Sequence, residues 1–526
     1  MSKASAKVSA TVTPIRALRA AAAKQGKNPN HLTLAVSFPE HEKAPENNKS
    51  RDPETLDQAL LQAKTYADWS EAAIALDNLG DGQRWKEKDQ SELYDFENIQ
   101  KRLQQLRSLR RRKDGQGLLF AIEEGVHGNL GGMGKPILYN QARFGTKNLI
   151  AEFVDAVADT LLYIESLPDS EISQAVKLDL FRRASHCYGR SALMFSGGGS
   201  LIYFHFGVAK SLLEQGLLPS VLSGSSAGAM AAAVIGTRTD AELANFFTSE
   251  NLCFGREWHP NDFERITGLR RMLKVEDFEH SFPKLIPDLT FREAFEISGR
   301  HISISVSPCE RNHSPRLLNA ITSPHVLIRS AVRASCAIPG LFEPVQLMAR
   351  NAHGKTVPYL KSRWIDGAFA ADLPAKQLAR LYGTNHYIVS LINPIMLPIF
   401  RDSKLESQRL VPILSILKKS SRYYVKAADA LISKYLPSSS IGVANKVLHD
   451  VLSQEYEGDI SIVPGRRLVS PLKLVSPSTR KEILALLEDG QRQTWPRMEM
   501  IRISSKISRT LDAILKRAGD DGHSGY

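Results

Sequence analysis

A run of four apolar residues, Ala192-Leu193-Met194-Phe195, ends at Gly197-Gly198-Gly199, and a helical pattern follows over 203–215. A short apolar run without polar alternation is the mark of a strand covered on both faces. The glycines permit an abrupt turn into the helix, and Gly216 stands just past its end, where a left-handed cap favours glycine. The same arrangement recurs. Val221-Leu222 leads into Gly224-Ser225-Ser226-Ala227-Gly228, and an alanine-rich helical pattern occupies 229–235. Residues 301–306 alternate like a strand, 326–337 have helical spacing, and 387–392 read as another buried strand. Strands and helices in alternation predict an α/β layered fold around a mostly parallel sheet.

The chain has 526 residues, more than one core ordinarily serves. Helical spacing marks 55–104 (Leu56, Ala59, Leu60, Ala63, then Ile99, Leu103), 149–166 and 171–183. Beyond Pro398 the pattern is mainly helical, and 413–436 is amphipathic, with Lys418, Lys419, Arg422, Lys426 and Lys434 among apolar residues. The organisation expected is a basic disordered tail over 1–55, a helical domain over 56–188, and an α/β catalytic domain over 189–395. A helical region over 396–515 and a short disordered tail over 516–526 complete it.

A net charge of +12 and a pI near 9.4 favour acidic partners. Zinc-finger spacing, aromatic RNA-binding strands and heptads behind a basic region are all missing, so nucleic acid is set aside in favour of an anionic lipid surface. The basic cluster over 107–113 and the amphipathic 413–436 are the segments that could meet such a surface, although a solvated helix end and a core-packed helix are the commoner meanings. No apolar run approaches the ~18 residues that span a bilayer. Cys187, Cys253, Cys309 and Cys336 are scattered without paired spacing, which fits a reducing compartment. With no apolar core in the first residues to suggest a secretory signal, an intracellular location is expected.

The pentapeptide Gly224-Ser225-Ser226-Ala227-Gly228 has the spacing of a nucleophile elbow and the strand–turn–helix setting that the elbow requires. Gly224 and Gly228 leave room for a tight crossing, and Ser226 would stand at the positive end of the helix. A serine hydroxyl needs a base to take its proton. None of the fourteen histidines has a recognisable setting for that task. A carboxylate is available in Trp364-Ile365-Asp366-Gly367-Ala368, at the end of an apolar run, although Asp-Gly alone is a common turn. The tetrahedral oxyanion needs aligned donors, which the backbone of Gly198, Gly199 and Ser200 could supply. A phosphate loop is rejected at two places. Near Gly134-Lys135, Asn129 stands where the first glycine belongs and Pro136 replaces the magnesium-binding hydroxyl; at Gly197, the last glycine of a dinucleotide loop is Ile202.

Taken in order, these pieces resemble the patatin-like phospholipase family. The matching segments are Gly197-Gly198-Gly199, His205-Phe206-Gly207-Val208, the elbow, Ala334-Ser335-Cys336-Ala337-Ile338-Pro339-Gly340-Leu341-Phe342-Glu343-Pro344-Val345, and Asp366-Gly367-Ala368. Upstream, Trp69-Ser70-Glu71-Ala72-Ala73, Trp85-Lys86, Asn129-Leu130-Gly131-Gly132 and Gly145-Thr146-Lys147-Asn148 resemble the helical domain that precedes the patatin domain in fungal and plant triacylglycerol lipases. Asp372-Leu373-Pro374 and Gln493-Thr494-Trp495-Pro496 are similar too. The resemblance covers roughly 60–510. It implies a patatin-like three-layer fold and a dyad in place of a triad, with Ser226 as nucleophile, Asp366 as base, and Gly198, Gly199 and Ser200 as the oxyanion hole. No metal or cofactor is implied.

The expected activity is hydrolysis of long-chain acyl esters in neutral lipid, with a phospholipase or lysophospholipase as the rival enzyme. A catalytically weak lipid-surface binding protein is the rival from another class. Leu201 and Ile202 depart from the family's loop, where a basic residue and a glycine are usual. Losing the cation argues against a phosphate-bearing headgroup, whereas bulk at Ile202 could distort the loop. The His-x-x-x-x-Asp acyltransferase signature is absent from the sequence.

Overall fold

The computed structural model describes residues 52–126, 128–247, 285–310, 314–338, 342–368, 372–393, 458–465 and 478–519. The expected tails up to residue 51 and from 520, the amphipathic 413–436, Cys253 and Pro339-Gly340-Leu341 lie outside them.

Among the described residues seven α-helices precede the first strand: α1 (Pro53–Gln62), α2 (Tyr66–Leu79), α3 (Gly82–Glu87), α4 (Phe96–Arg111), α5 (Gly115–Glu123), α6 (Asn148–Ser166) and α7 (Gln174–Tyr188). Polar side chains start several of them by satisfying the first amides, which have no partner within a helix. Thr65 and Asp68 form a reciprocal capping box on α2, Asp95 accepts from Asn98 N–H on α4, and Asp114 accepts from Gly117 N–H on α5. The glycine-rich stretch between α5 and α6 makes two short 3-10 turns, Leu130–Gly132 and Pro136–Tyr139. There the Lys135 ammonium donates to the Leu93 carbonyl at 3.0 Å, so the lysine after Gly134 tethers a turn.

The sheet has the order β5-β6-β3-β2-β1-β7-β8, with β4 alongside β3. Its strands are β1 (Arg190–Phe195), β2 (Val221–Gly224), β3 (His301–Pro308), β4 (Arg316–Asn319), β5 (Val345–Arg350), β6 (Thr356–Asp366), β7 (Thr384–Ser390) and β8 (Ile460–Ile462). The β1–β2, β1–β7, β2–β3 and β7–β8 pairs are parallel. The pairs β3–β4, β3–β6 and β5–β6 are antiparallel.

Along β1 the side chains divide between two cores. Leu193 and Phe195 join one, which also takes Ile99, Leu161 and Ile514; Ala192 and Met194 join the other, with Leu378 and Val389. Period-two alternation thus covers both faces, giving the layered arrangement expected from the continuous apolar run. The upstream helices and the sheet share the first of these cores.

The connecting helices are α8 (Ile202–Glu214), α9 (Ala227–Gly236), α10 (Asp240–Phe246), α11 (Phe291–Ser298), α12 (Ile328–Ser335) and α13 (Ala375–Tyr382). The chain closes with α14 (Arg480–Thr494) and α15 (Met498–Arg517). Three details go beyond the expected outline. Helix α1 begins at Pro53, inside the stretch assigned to the tail, because proline suits the first helical position. Helix α15 runs to Arg517, past the expected end at 515, with Arg517 paired to Glu165. Strand β8 comes from the region expected to be helical and adds a parallel edge to the sheet.

Helices α8 and α14 cross at Gly207 and Gly490. A Cβ at Gly207 would stand 2.1 Å from the Leu487 carbonyl oxygen and 2.9 Å from the Gly490 Cα. Backbone cannot yield as a side-chain tip can, so Gly207→Ala should cost ~2–3 kcal/mol by overpacking, read as a lower midpoint in urea unfolding.

Candidate active site

Backbone touches backbone where β1, β2 and α9 meet. A Cβ on Gly224 would lie 2.1 Å from the Gly228 carbonyl oxygen, and one on Gly228 would lie 2.1 Å from that of Phe195. Only glycine fits at either position, which gives the elbow spacing a physical cause. Between them Ser226 is bent to φ 51° and ψ −121°, a strained region for a residue with a side chain. Neighbours hold it there. Its N–H donates to the Ser335 hydroxyl at 2.9 Å, and Ser335 in turn donates to the Ser305 carbonyl at 2.7 Å. The Ser226 carbonyl accepts from Met230 N–H at 3.2 Å and from the Cys336 thiol at 3.3 Å. Ser226 thus precedes the ten-residue helix α9, whose N-terminal dipole favours developing negative charge.

Asp366 ends β6 opposite Val306 of β3, and its N–H donates to the Ala337 carbonyl at 3.0 Å. One carboxylate oxygen accepts from Ala368 N–H at 2.8 Å. The Ser226 hydroxyl lies close enough to the same carboxylate to favour its ionised form, so the fold brings these two distant sequence motifs together. Burial pushes the Asp366 pKa up to about 7; the Ala368 amide and the Ser226 hydroxyl pull against that rise, and the nearby Asp372 charge adds to it. A Cβ on Gly367 would stand 2.2 Å from the Ser305 carbonyl oxygen, so Asp-Gly-Ala here packs a strand end rather than making an open turn.

Facing the pair is the glycine loop. Gly199 has φ +56° and opens a 3-10 turn over Gly199–Leu201, while a Cβ on Gly198 would meet the Ile392 side chain at 2.5 Å. Leu201 N–H donates to Gly198 O at 3.3 Å, and Ile202 N–H donates to Gly199 O. Gly197 N–H donates to Asp372 at 2.8 Å. Within the described residues this leaves the Gly198 and Gly199 amides without a protein acceptor, in a loop where Gly198, Gly199 and Ser200 are partly exposed. Gly197 itself lies against both motifs, since its Cβ would be 3.4 Å from the Ser226 Cβ and 3.0 Å from the Ala368 Cβ. Ile202 has ordinary helical angles, φ −46° and ψ −33°, so the turn has no need of the missing glycine. Both Leu201 and Ile202 are buried in the core.

His205, on α8, is fully buried and its pKa is pushed down to about 4 by desolvation. The neutral ring donates from Nε2 to the Ser196 carbonyl at 2.9 Å and accepts at Nδ1 from the Ser390 hydroxyl at 2.7 Å. It therefore pins the end of β1 just before the glycines. Sequence reasoning left His205 without a role, and it treated Ser335 and Asp372 as parts of matching segments. Their contacts span 109 residues for Ser226–Ser335 and 175 for Gly197–Asp372. No local spacing reports such pairings; only the short Asp-Leu-Pro segment after Asp-Gly-Ala signalled that Asp372 mattered. Among the described residues no cluster of three or more His, Cys, Asp or Glu could hold a metal, and no helix is long and apolar enough to cross a membrane. Cys187, Cys309 and Cys336 are free thiols.

Two family models match the chain. A domain of unknown function (DUF3336) covers residues 47–186, and the patatin-like phospholipase model covers 193–379. The chain is 33% identical to triacylglycerol lipase SDP1L of Arabidopsis thaliana, an alignment covering 86% of this chain and 57% of the relative. It is 31% identical to triacylglycerol lipase 4 of Saccharomyces cerevisiae, over 84% of this chain and 50% of that one. It is also 31% identical to triacylglycerol lipase ptl3 of Schizosaccharomyces pombe, over 87% of this chain and 97% of the relative. The chain thus spans little more than half the length of the plant and budding-yeast proteins, and nearly all of the fission-yeast one.

Proposed function

This chain belongs to the patatin-like phospholipase family, and we propose that it is a serine acyl hydrolase cleaving long-chain acyl esters of neutral lipid, in lipid catabolism. The observation that carries this reading is the closeness of the strained Ser226 to the buried Asp366, with Gly197 of the glycine loop packed against Ser226. Ser226 Oγ attacks the ester carbonyl as its proton passes to Asp366, and the resulting oxyanion is held by the Gly198 and Gly199 amides with Ser200 beside them. Collapse of this intermediate breaks the ester C–O bond. Asp366 returns the proton to the leaving alkoxide, and an acyl group remains on Ser226. Water then gives a proton to Asp366 and attacks that acyl group, releasing the fatty acid and restoring the serine. No step calls for a cofactor.

Triacylglycerol is the preferred substrate on two grounds. The relatives named above carry that activity in their names, and Leu201 follows Ser200 where a cation would suit a phosphate group. The protein would reach its substrate inside the cell as a peripheral visitor to membranes or lipid droplets, through apolar and basic surface. Radiolabelled trioleoylglycerol and phosphatidylcholine, offered as matched emulsions, test the substrate. Faster fatty-acid release from trioleoylglycerol, lost in Ser226→Ala, is expected; faster release from phosphatidylcholine would make the enzyme a phospholipase. Equal background release by both forms would leave a lipid-surface binding protein.

The dyad also fixes a pH dependence. Asp366 must be ionised to accept the serine proton, and its pKa lies at about 7. Activity on p-nitrophenyl butyrate should therefore fall as pH drops through about 7, approaching tenfold per unit well below it. A plateau extending unchanged to pH 5 would exclude a base with this proton affinity.

A further inference from the structure

Asp372 is fully buried, and two of the segments that build the site end on it. One of its oxygens accepts from Gly197 N–H at 2.8 Å and from the Ser225 hydroxyl. The other accepts from the Asn393 side-chain amide at 3.2 Å. Each of these groups is a donor, which suits an ionised carboxylate. Gly197 begins the loop that carries Gly198 and Gly199, and Ser225 immediately precedes Ser226. Asn393 extends the network, because its N–H and that of Ile392 donate to the Ser196 hydroxyl at 3.2 and 2.8 Å. Ile392 is also the side chain against which Gly198 packs. A single carboxylate therefore ties the loop after β1, the turn after β2 and the segment after β7.

We infer that Asp372 is a positioning residue for acyl transfer, locking the loop amides and the Ser226 elbow into one register. The inference rests on the dyad reading above. The Asp372 charge is also felt at Asp366, as the smallest of the influences on that carboxyl. Two buried carboxylates resist sharing negative charge, so Asp372 raises the proton affinity of Asp366. Other groups bearing on Asp366 are the Ser226 hydroxyl and Ala368 amide, which favour its ionised form, and the Cys336 thiol, which is buried and whose own ionisation is opposed by the Asp366 charge. A base with greater proton affinity takes the serine proton more readily in the transition state. The side chain that holds the loop register thus also adds to the base strength that burial chiefly sets.

Asp372→Asn separates these effects, since an amide oxygen can still accept from Gly197 and Ser225 while the charge is gone. With p-nitrophenyl butyrate as probe, the acid limb of kcat/KM should move to lower pH and the plateau kcat should fall roughly tenfold, with KM little changed. Ser225→Ala keeps the charge and removes one donor. Its kcat should also fall, on the order of tenfold, with the acid limb unmoved. An Asp372→Asn limb superimposed on that of the natural protein, or a Ser225→Ala kcat equal to it, would overturn the inference. Should Asp372→Asn not fold, the Ser225→Ala measurement decides alone. Failure of the dyad reading looks different, because Ser226→Ala and Asp366→Asn would then retain turnover.

Discussion

Ser226→Ala is expected to lower kcat on a short acyl ester by on the order of 10⁵-fold, while unfolding changes by only ~1 kcal/mol. The asymmetry comes from the site. The alanine keeps the same backbone contacts: the amide to Ser335, and the carbonyl to Met230 and Cys336. What it loses is the hydroxyl beside Asp366, the proposed nucleophile. Asp366→Asn should fall nearly as far, since the amide can still accept from Ala368 but cannot take a proton from Ser226. The double variant should be no worse than Ser226→Ala, because two groups serving one proton transfer are strongly non-additive. Initial rates paired with urea melts check all three.

The second large effect is structural. Gly228→Ala would drive a methyl group to 2.1 Å from the Phe195 carbonyl oxygen and 2.6 Å from its carbon. Relief requires α9 to retreat from β1 at the point where Gly224 already meets the Gly228 carbonyl. A cost of roughly 3–5 kcal/mol is expected, which would consume much of a domain's ~5–15 kcal/mol and leave little folded protein. Whatever folds should have lost activity, because displacing α9 moves Ser226 away from Asp366 and from the glycine loop. Folded yield, melting midpoint and turnover measured together test this; a stable and fully active Gly228→Ala would show that the contact relaxes at little cost.

Much of this was legible in the sequence where chemistry and local geometry coincide. The run Ala192–Phe195 announced a strand covered on both faces, and the glycine pair around Ser226 announced a turn without room for side chains. The β5–β6 pair was not legible. Strand β6 carries Pro358, Leu360, Lys361 and Arg363 on exposed positions, and Leu360 has φ 60°, so its residues follow no clean alternation until Trp364 is buried. Strand β8 has three residues, too few for a pattern. The histidine search failed for a physical reason. His205 is near the site but neutral, with both ring nitrogens committed to Ser196 and Ser390. Asp366 was found through a motif; the Asp-Leu-Pro segment marked Asp372, six residues on, but its partners emerge only from what it touches across the fold.

Labelling with a fluorophosphonate, which phosphonylates an activated serine, tests the proposed nucleophile most directly. Intact-mass and peptide analysis should place one adduct on Ser226, with labelling abolished in Ser226→Ala and strongly slowed in Asp366→Asn. An unlabelled natural protein, or an adduct that persists at the same rate in Ser226→Ala, would contradict a nucleophile at the elbow.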